Sequence, residues 1–419
     1  MLQISKLQFH HNNERLKITC TPFTTSFVNL LSLCRPMRAF TPPIQTSLES
    51  SMRFAATLLL FSAASLVAQQ ATPREQPPVT PIAPTQPTTA ADAAQRDSSF
   101  IDSEGRAHIT RIVPVPGDLS RQSRYWLSTV VPDAGPPESL EQRRASTDKW
   151  AAGASMEWQA LYPAKLTEEK IADVPVRIVV PADMPEANKD KVLLNLHGGG
   201  FNSDSGSYTE SIPMAGMTKI KCVAVLYRLA PEFPFPAALD DSIAVYKELL
   251  KTYKPNHIVI YGTSAGAILT GEVAVKIKQL GLPMPAALGI FSGMGDFARA
   301  GDSQAMYALR GLSGHLDPPD DSKVHNGEYV GKLDAKDPVL SPIYADLHGM
   351  PPTLFVTSGR DLLLSGTINL HRAFLNAGDD ARLIAYDALP HAFWYSAKLP
   401  EALEANHAMA DFFSKQLAK

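Results

Sequence analysis

The stretch that decides the fold reads His257-Ile258-Val259-Ile260-Tyr261-Gly262-Thr263-Ser264-Ala265-Gly266, and helix-periodic sequence continues from Ala265 to Leu280. A short run that is apolar on both faces predicts a strand buried between helix layers. The glycines around the serine predict a sharp turn from that strand into the helix. The turn matters because a serine hydroxyl is a poor nucleophile and needs to stand where a base can reach it. At a helix N-terminus, free amides also favour negative charge developing beside Ser264. A bare Gly-x-Ser-x-Gly is common by chance, and its blander reading is a helix N-cap serine. The strand before it and the helix after it favour the chemical reading.

Outward from this turn, Val176 to Val180, Val192 to Leu196, Cys222 to Tyr227, Ala287 to Phe291, Thr353 to Thr357 and Arg382 to Tyr386 are further short runs rich in Val, Ile and Leu. Ala237 to Leu250, Leu362 to Asn376 and Ala402 to Leu417 have helical periodicity, and Gly281 and Gly378 stand where helices stop. Strand and helix in alternation predict an α/β fold with a mostly parallel central sheet covered by helices on both faces. Two regions fall outside the pattern. Leu119 to Ile171 is polar and helix-prone with Trp126, Trp150 and Trp158, and Gly295 to Ala335 is rich in Gly, Asp and Ser. Both are expected to be cap material over the active end of the sheet.

The 419 residues are 45% hydrophobic and 19% charged, a composition that excludes disorder throughout. Lys plus Arg number 39 against 42 Asp plus Glu, so no nucleic acid partner is expected. Met52-Arg53, the apolar run Phe54 to Val67 and Ala68-Gln69-Gln70 have the form of a secretory signal peptide. The run is shorter than the roughly 20 residues that cross a bilayer, so cleavage rather than stable membrane insertion is expected. Met52 then becomes the expected start, residues 1–51 fall outside the native product, and the protein is exported to the periplasm or beyond. Cleavage after Ala68 would remove Cys20 and Cys34 and leave Cys222 without an intramolecular disulfide partner. Ala71 to Gln95 carries Pro73, Pro77, Pro78, Pro81, Pro84 and Pro87 among Thr, Gln and Ala. Such sequence buries too little apolar surface to order itself, so a disordered linker is expected over 69–111. The catalytic domain is expected over 112–419, near the upper size of one hydrophobic core.

A second motif, Leu196-His197-Gly198-Gly199-Gly200-Phe201, also follows a predicted strand. Consecutive glycines expose amides without side-chain shielding, as a pocket for a tetrahedral oxyanion requires. The blander reading is a flexible glycine turn, which leaves His197 unexplained; we read His197 as shaping the loop. Gly199 and Gly200 with Ala265 are the expected oxyanion donors, with Gly198 letting the chain turn into the hole and Phe201 against the substrate. The base must come from another loop, and His391 in Leu389-Pro390-His391-Ala392-Phe393 follows the last predicted strand. His371 and His407 lie inside predicted helices, His257 opens a strand, and His315, His325 and His348 lie in or beside the irregular region. Asp361 in Ser358-Gly359-Arg360-Asp361 is the candidate acid, although an Asp there also serves as an ordinary helix N-cap. Asp387 is a rival on the same strand-loop unit as His391. Taken together, Ser264, Asp361 and His391 occur in the order Ser, Asp, His, each at a strand's C-terminal end.

From about Val176 to Lys419 the chain resembles the hormone-sensitive-lipase-like carboxylesterases of the α/β-hydrolase fold. The resemblance rests jointly on His197 to Phe201, Tyr227-Arg228-Leu229-Ala230-Pro231-Glu232, Phe235-Pro236-Ala237-Ala238-Leu239-Asp240-Asp241, Gly262 to Gly266, Asp361 and Pro390-His391. Thr263 places the chain with the Gly-Thr-Ser-Ala-Gly branch. Ala267 replaces a frequent glycine, and Asp361 lacks the Pro that often follows the acid. The resemblance implies a helical cap, an acyl pocket, no metal or organic cofactor, and a structural role for Tyr227 to Asp241. It implies hydrolysis of small carboxylic esters through an acyl-enzyme. The alternatives are a ligand-binding relative without catalysis, or a peptidase or acyltransferase using the same three residues.

Overall fold

The computed structural model describes residues 98–110, 113–129, 139–307 and 327–419. The segments 1–51 and 52–68, the proline-rich Ala71 to Gln95, and His315 and His325 lie outside the described residues.

A hairpin of β1 (Ser98–Ile101) and β2 (Ala107–Thr110) opens the described chain, with Phe100 stacked on His108 at 4.4 Å. The sheet that follows is built from β3 (Ala164–Ile171), β4 (Val174–Pro181), β5 (Val192–Leu196), β6 (Lys221–Val225), β7 (Ile258–Thr263), β8 (Ala287–Phe291), β9 (Thr353–Arg360) and β10 (Ala381–Pro390). Its order is β10-β9-β8-β7-β5-β6-β4-β3, parallel from β6 to β10 and antiparallel where β4 meets β3 and β6. Every residue of β5 and β7 is buried, which explains their mostly apolar sequence, with Asn195 and Thr263 the buried polar exceptions. The helices are α1 (Arg121–Ser128), α2 (Leu140–Leu161), α3 (Ser211–Thr218), α4 (Ala237–Leu249), α5 (Ala265–Gln279), α6 (Asp302–Met306), α7 (Gly327–Val330), α8 (Leu364–Asn376) and α9 (Pro400–Gln416). α4, α5 and α8 pack one face of the sheet through Tyr246, Val273 and Phe374, whereas α3 and α9 pack the other through Ile212, Met409 and Phe413. The fold is the doubly covered, mostly parallel sheet that the alternation predicted.

Three segments differ from the sequence reading. The hairpin β1–β2 lies within 69–111, so the expected linker is structured at its C-terminal end. Residues 164–171, expected to belong to the cap, form the edge strand β3, whose Lys165, Glu168, Glu169 and Lys170 are exposed. Charges on an edge strand block pairing with another chain, which is why this strand reads as polar. α3 was not foreseen because Pro213 and Gly216 are poor helix formers; burial of nearly the whole helix overrides them.

Parallel pairing sets Leu196 opposite Gly262, so the strand ends carrying the two glycine motifs lie side by side. The backbones meet so closely that a Cβ on Gly266 would lie 2.6 Å from the Leu196 carbonyl carbon and 2.8 Å from that of His197. Gly281 instead has open space around it and a left-handed φ of 62°. Gly266→Ala is therefore expected to prevent recovery of a cooperatively folding protein, whereas Gly281→Ala should lose only about 1 kcal/mol. Urea unfolding of both variants checks the contrast; a wild-type midpoint for Gly266→Ala would contradict it.

Candidate active site

Ser264 ends the turn from β7 into α5 with φ 59° and ψ −121°. A non-glycine residue there is strained, and the surrounding structure enforces it. Its N–H donates to the Phe291 carbonyl on β8 at 2.9 Å, so the sheet itself holds the strained residue. Ser264, Ala265, Gly199, Gly200 and His391 all line one cleft of about 1540 Å³ at the C-terminal ends of the parallel strands.

Asp361 follows β9 and is fully buried. Its Oδ1 is 2.7 Å from His391 Nδ1 and accepts the Leu363 N–H at 2.9 Å. Its Oδ2 accepts from the Thr357 hydroxyl at 2.9 Å and from the Ser292 hydroxyl. Burial alone would push this carboxyl up, but the facing His391 charge and these hydrogen bonds outweigh it, so the group lies below the ordinary carboxylate range. The Leu363 bond is a local turn: α8 starts at Leu364 with Leu363 as its cap and no side-chain capping bond, so Asp361 does not serve as the helix N-cap. Asp387, the rival, is exposed on β10. His391 follows directly on β10, its side chain 7% exposed. An aspartate on Nδ1 fixes the tautomer that leaves Nε2 free to accept a proton. Among the described residues the Ser264 hydroxyl forms no hydrogen bond with His391; in unliganded sites this contact commonly tightens only when substrate binds.

The glycine loop divides by role. Gly199 and Gly200 have positive φ of 122° and 63°, and, among the described residues, neither their N–H groups nor that of Ala265 has an acceptor. Gly198 departs from the expectation of an oxyanion residue: its N–H donates to Glu210 Oε1 at 2.9 Å, and it is not on the cleft wall. Phe201, expected against substrate, is fully buried and stacks on Tyr329 at 3.5 Å, so it supports the loop from behind. His197 is also buried, stacked on Tyr227 at 4.1 Å, whose hydroxyl donates to the His197 carbonyl at 2.6 Å. Trp126, Trp150 and Met294 line the cleft, whereas Trp158 is buried away from it. Glu232 pairs with Arg144 of α2, and Asp241 with Arg228, both remote from His391's partners. Sequence reasoning passed over Glu210, whose carboxylate reaches Gly198, Asn195, Thr263 and Tyr395. Its only signal in the sequence is an acidic residue bordered by Ser and Thr just before a buried helix. Among the described residues no group of His, Cys, Asp or Glu is disposed to hold a metal ion, and no helix is long and apolar enough to cross a membrane.

A strained serine at a strand-to-helix turn, unpaired amides beside it and an aspartate-bound histidine in the same cleft define a hydrolase of the serine type on an α/β sheet. A family model described as the alpha/beta hydrolase fold matches residues 193–395. An acetyl-hydrolase of Streptomyces hygroscopicus is 31% identical over 225 residues, covering 53% of this chain and 74% of that protein. An esterase of Acinetobacter venetianus is 27% identical over 242 residues, covering 54% and 76%. The crystal structure of an esterase from the bacterial hormone-sensitive lipase family superposes with TM-score 0.60 at 29% identity, covering 68% of this chain and 94% of that one. A hormone-sensitive lipase from a metagenome library gives TM-score 0.60 at 29% identity, covering 72% and 100%. The chain belongs to the hormone-sensitive-lipase-like carboxylesterases of the α/β-hydrolase fold, and is a carboxylic ester hydrolase of the serine type.

If Asp361 sets the tautomer of His391, Asp361→Asn should retain the fold and lower kcat about 10²- to 10⁴-fold. Steady-state hydrolysis of p-nitrophenyl acetate reads this out, and a kcat close to that of wild type would remove Asp361 from the site.

Proposed function

We propose that Ser264 attacks the ester carbonyl while His391 takes its proton and Asp361 stabilises the resulting imidazolium. The tetrahedral oxygen then sits on the N–H groups of Gly199, Gly200 and Ala265, and His391 returns the proton to the departing alcohol. A water deprotonated by the same imidazole cleaves the acyl-enzyme and regenerates Ser264. The observation that carries this reading is the 2.7 Å contact between buried Asp361 Oδ1 and Nδ1 of His391, which lines the cleft that Ser264 enters from its strained turn. Small carboxylic esters are the proposed substrates. The acetyl-hydrolase among the relatives supports this, as do the side chains of Ile268, Met294, Leu362 and Leu363 around the serine. Ser264→Ala should reduce turnover by roughly 10⁴-fold or more and abolish covalent labelling by an alkyl phosphonate, with the fold unchanged. A series of nitrophenyl esters should favour acetyl to butyryl over long chains. Labelling of the Ser264→Ala variant would sink the assignment, and preference for emulsified long chains would sink the substrate class.

We also infer that Met52 to Ala68 directs export, from Arg53 and the apolar run that follows it. Cell fractionation with N-terminal sequencing is expected to find an exported product beginning at Gln69; a cytoplasmic product retaining Met52 would refute this.

A further inference from the structure

Glu210 lies just before α3, 4% exposed and off the cleft wall, so it touches no substrate. Four hydrogen bonds nevertheless converge on its carboxylate. Oε1 accepts from the Gly198 N–H at 2.9 Å and the Tyr395 hydroxyl at 2.6 Å. Oε2 accepts from the Asn195 amide at 2.8 Å and the Thr263 N–H at 3.1 Å. Each partner adjoins a different part of the site. Gly198 precedes the two glycines with free amides, Thr263 precedes Ser264, Tyr395 lies on the turn that follows His391, and Asn195 belongs to the buried strand β5. We propose that Glu210 is a positioning residue that ties the glycine loop, the serine turn and the histidine loop to one buried carboxyl group, fixing their mutual distances for the reaction.

The chemistry of the side chain explains why it is an acid. Three of the four partners can only donate, and a carboxylate has two oxygens able to accept two bonds each. A glutamine offers one accepting oxygen, and its amide nitrogen would face either the Gly198 N–H or the Thr263 N–H as a second donor. Burial pushes the Glu210 carboxyl up to about 7, against the pull of the Tyr395 hydroxyl, the Gly198 N–H and the Asn195 amide. The space is filled as well: a Cβ on Gly198 would lie 2.5 Å from Tyr395 Oη and 2.9 Å from the Thr263 carbonyl oxygen. The glycine loop, the serine turn and Tyr395 therefore meet with no slack, and the Glu210 carboxyl bonds to all three.

This inference rests on the reading of Ser264 and His391 given above, and its test separates the two. Glu210→Gln should fold cooperatively and hydrolyse p-nitrophenyl acetate with kcat lowered about 10- to 100-fold, because oxyanion donors and nucleophile shift by a fraction of an ångström. KM should stay within about threefold of wild type, because the groups that bind the acyl chain are untouched. Tyr395→Phe removes one donor and keeps the acid; its kcat should fall by about 3- to 10-fold, and the double variant should be no slower than Glu210→Gln alone. Tyr395→Phe carries the test should Glu210→Gln not fold. A folded Glu210→Gln with wild-type kcat, or a loss confined to KM, overturns the proposal, as does a fully multiplicative double variant. With Ser264→Ala inactive, those results overturn the role of Glu210 only, whereas turnover by Ser264→Ala overturns the reading of the site itself.

Discussion

The structure depends on the contact between the end of β5 and the turn from β7 into α5, where two backbones meet with no room for a side chain. Parallel pairing of Leu196 with Gly262 sets the register, and Gly266 lies against the Leu196 carbonyl. Any side chain there would force the strands apart. Because they stay together, the free amides of Gly199 and Gly200 face the same cleft as Ser264, and no loop has to travel to bring them there. The strained φ of Ser264 is the cost of this approach, and it is held by the bond from the Ser264 N–H to Phe291.

Around that contact the site is assembled by carboxylates, Asp361 and Glu210 buried and Asp204 partly exposed. An isolated carboxylate inside a protein is unfavourable by several kcal/mol, so each must collect donors. Asp361 collects the Thr357 and Ser292 hydroxyls, the Leu363 N–H and the His391 ring, drawing together β9, the loop after β8 and the loop after β10. Asp204 collects Ser207, the Gly206 N–H and Arg177 beneath the glycine loop, with Arg177 lying over the Tyr208 ring at 3.6 Å. Glu210 collects the third set. Each carboxyl group requires donors from separate segments, so satisfying it fixes those segments relative to one another. Polar burial here determines geometry more than it determines stability.

How much of this was legible follows from where the information sits. Buried parallel strands announce themselves because both faces are apolar, and β5, β7, β8 and the start of β9 appear in the sequence almost residue for residue. The serine turn, Asp361 and His391 were readable because each is placed by the end of such a strand. The edge strand β3 was not, since its exposed charges hide the alternation, and the hairpin β1–β2 was obscured by the polar sequence around it. Phe201 and Gly198 were assigned to the cleft from their place in a motif. The sequence holds no sign that φ 64° would turn the Phe201 ring onto Tyr329, or that a distant Glu would take up the Gly198 N–H. Contacts between segments far apart in sequence have no local signature, which is why the four bonds of Glu210 could not be read while the place of Asp361 at a strand end could.

The cap material shares anchors with the chemistry. α1 is fixed by Glu401 of α9, which accepts from the Ser120 N–H at 2.5 Å and from the Ser123 hydroxyl at 2.6 Å. In α2, Arg144 donates to the Asn202 carbonyl at 2.6 Å, directly beyond the glycine loop, and to Ala230 and Glu232. Trp158 of the same helix is fully buried, and its indole N–H donates to the Tyr395 carbonyl at 3.0 Å on the histidine loop. Exposed ion pairs such as Arg144 with Glu232 add little stability. Their position is what counts: α2, which carries Trp150 to the cleft, is bonded to the segment after the glycine loop and to the turn after His391. The cleft wall that α2 supplies is therefore tied by direct hydrogen bonds to the segments that flank the glycine loop and His391.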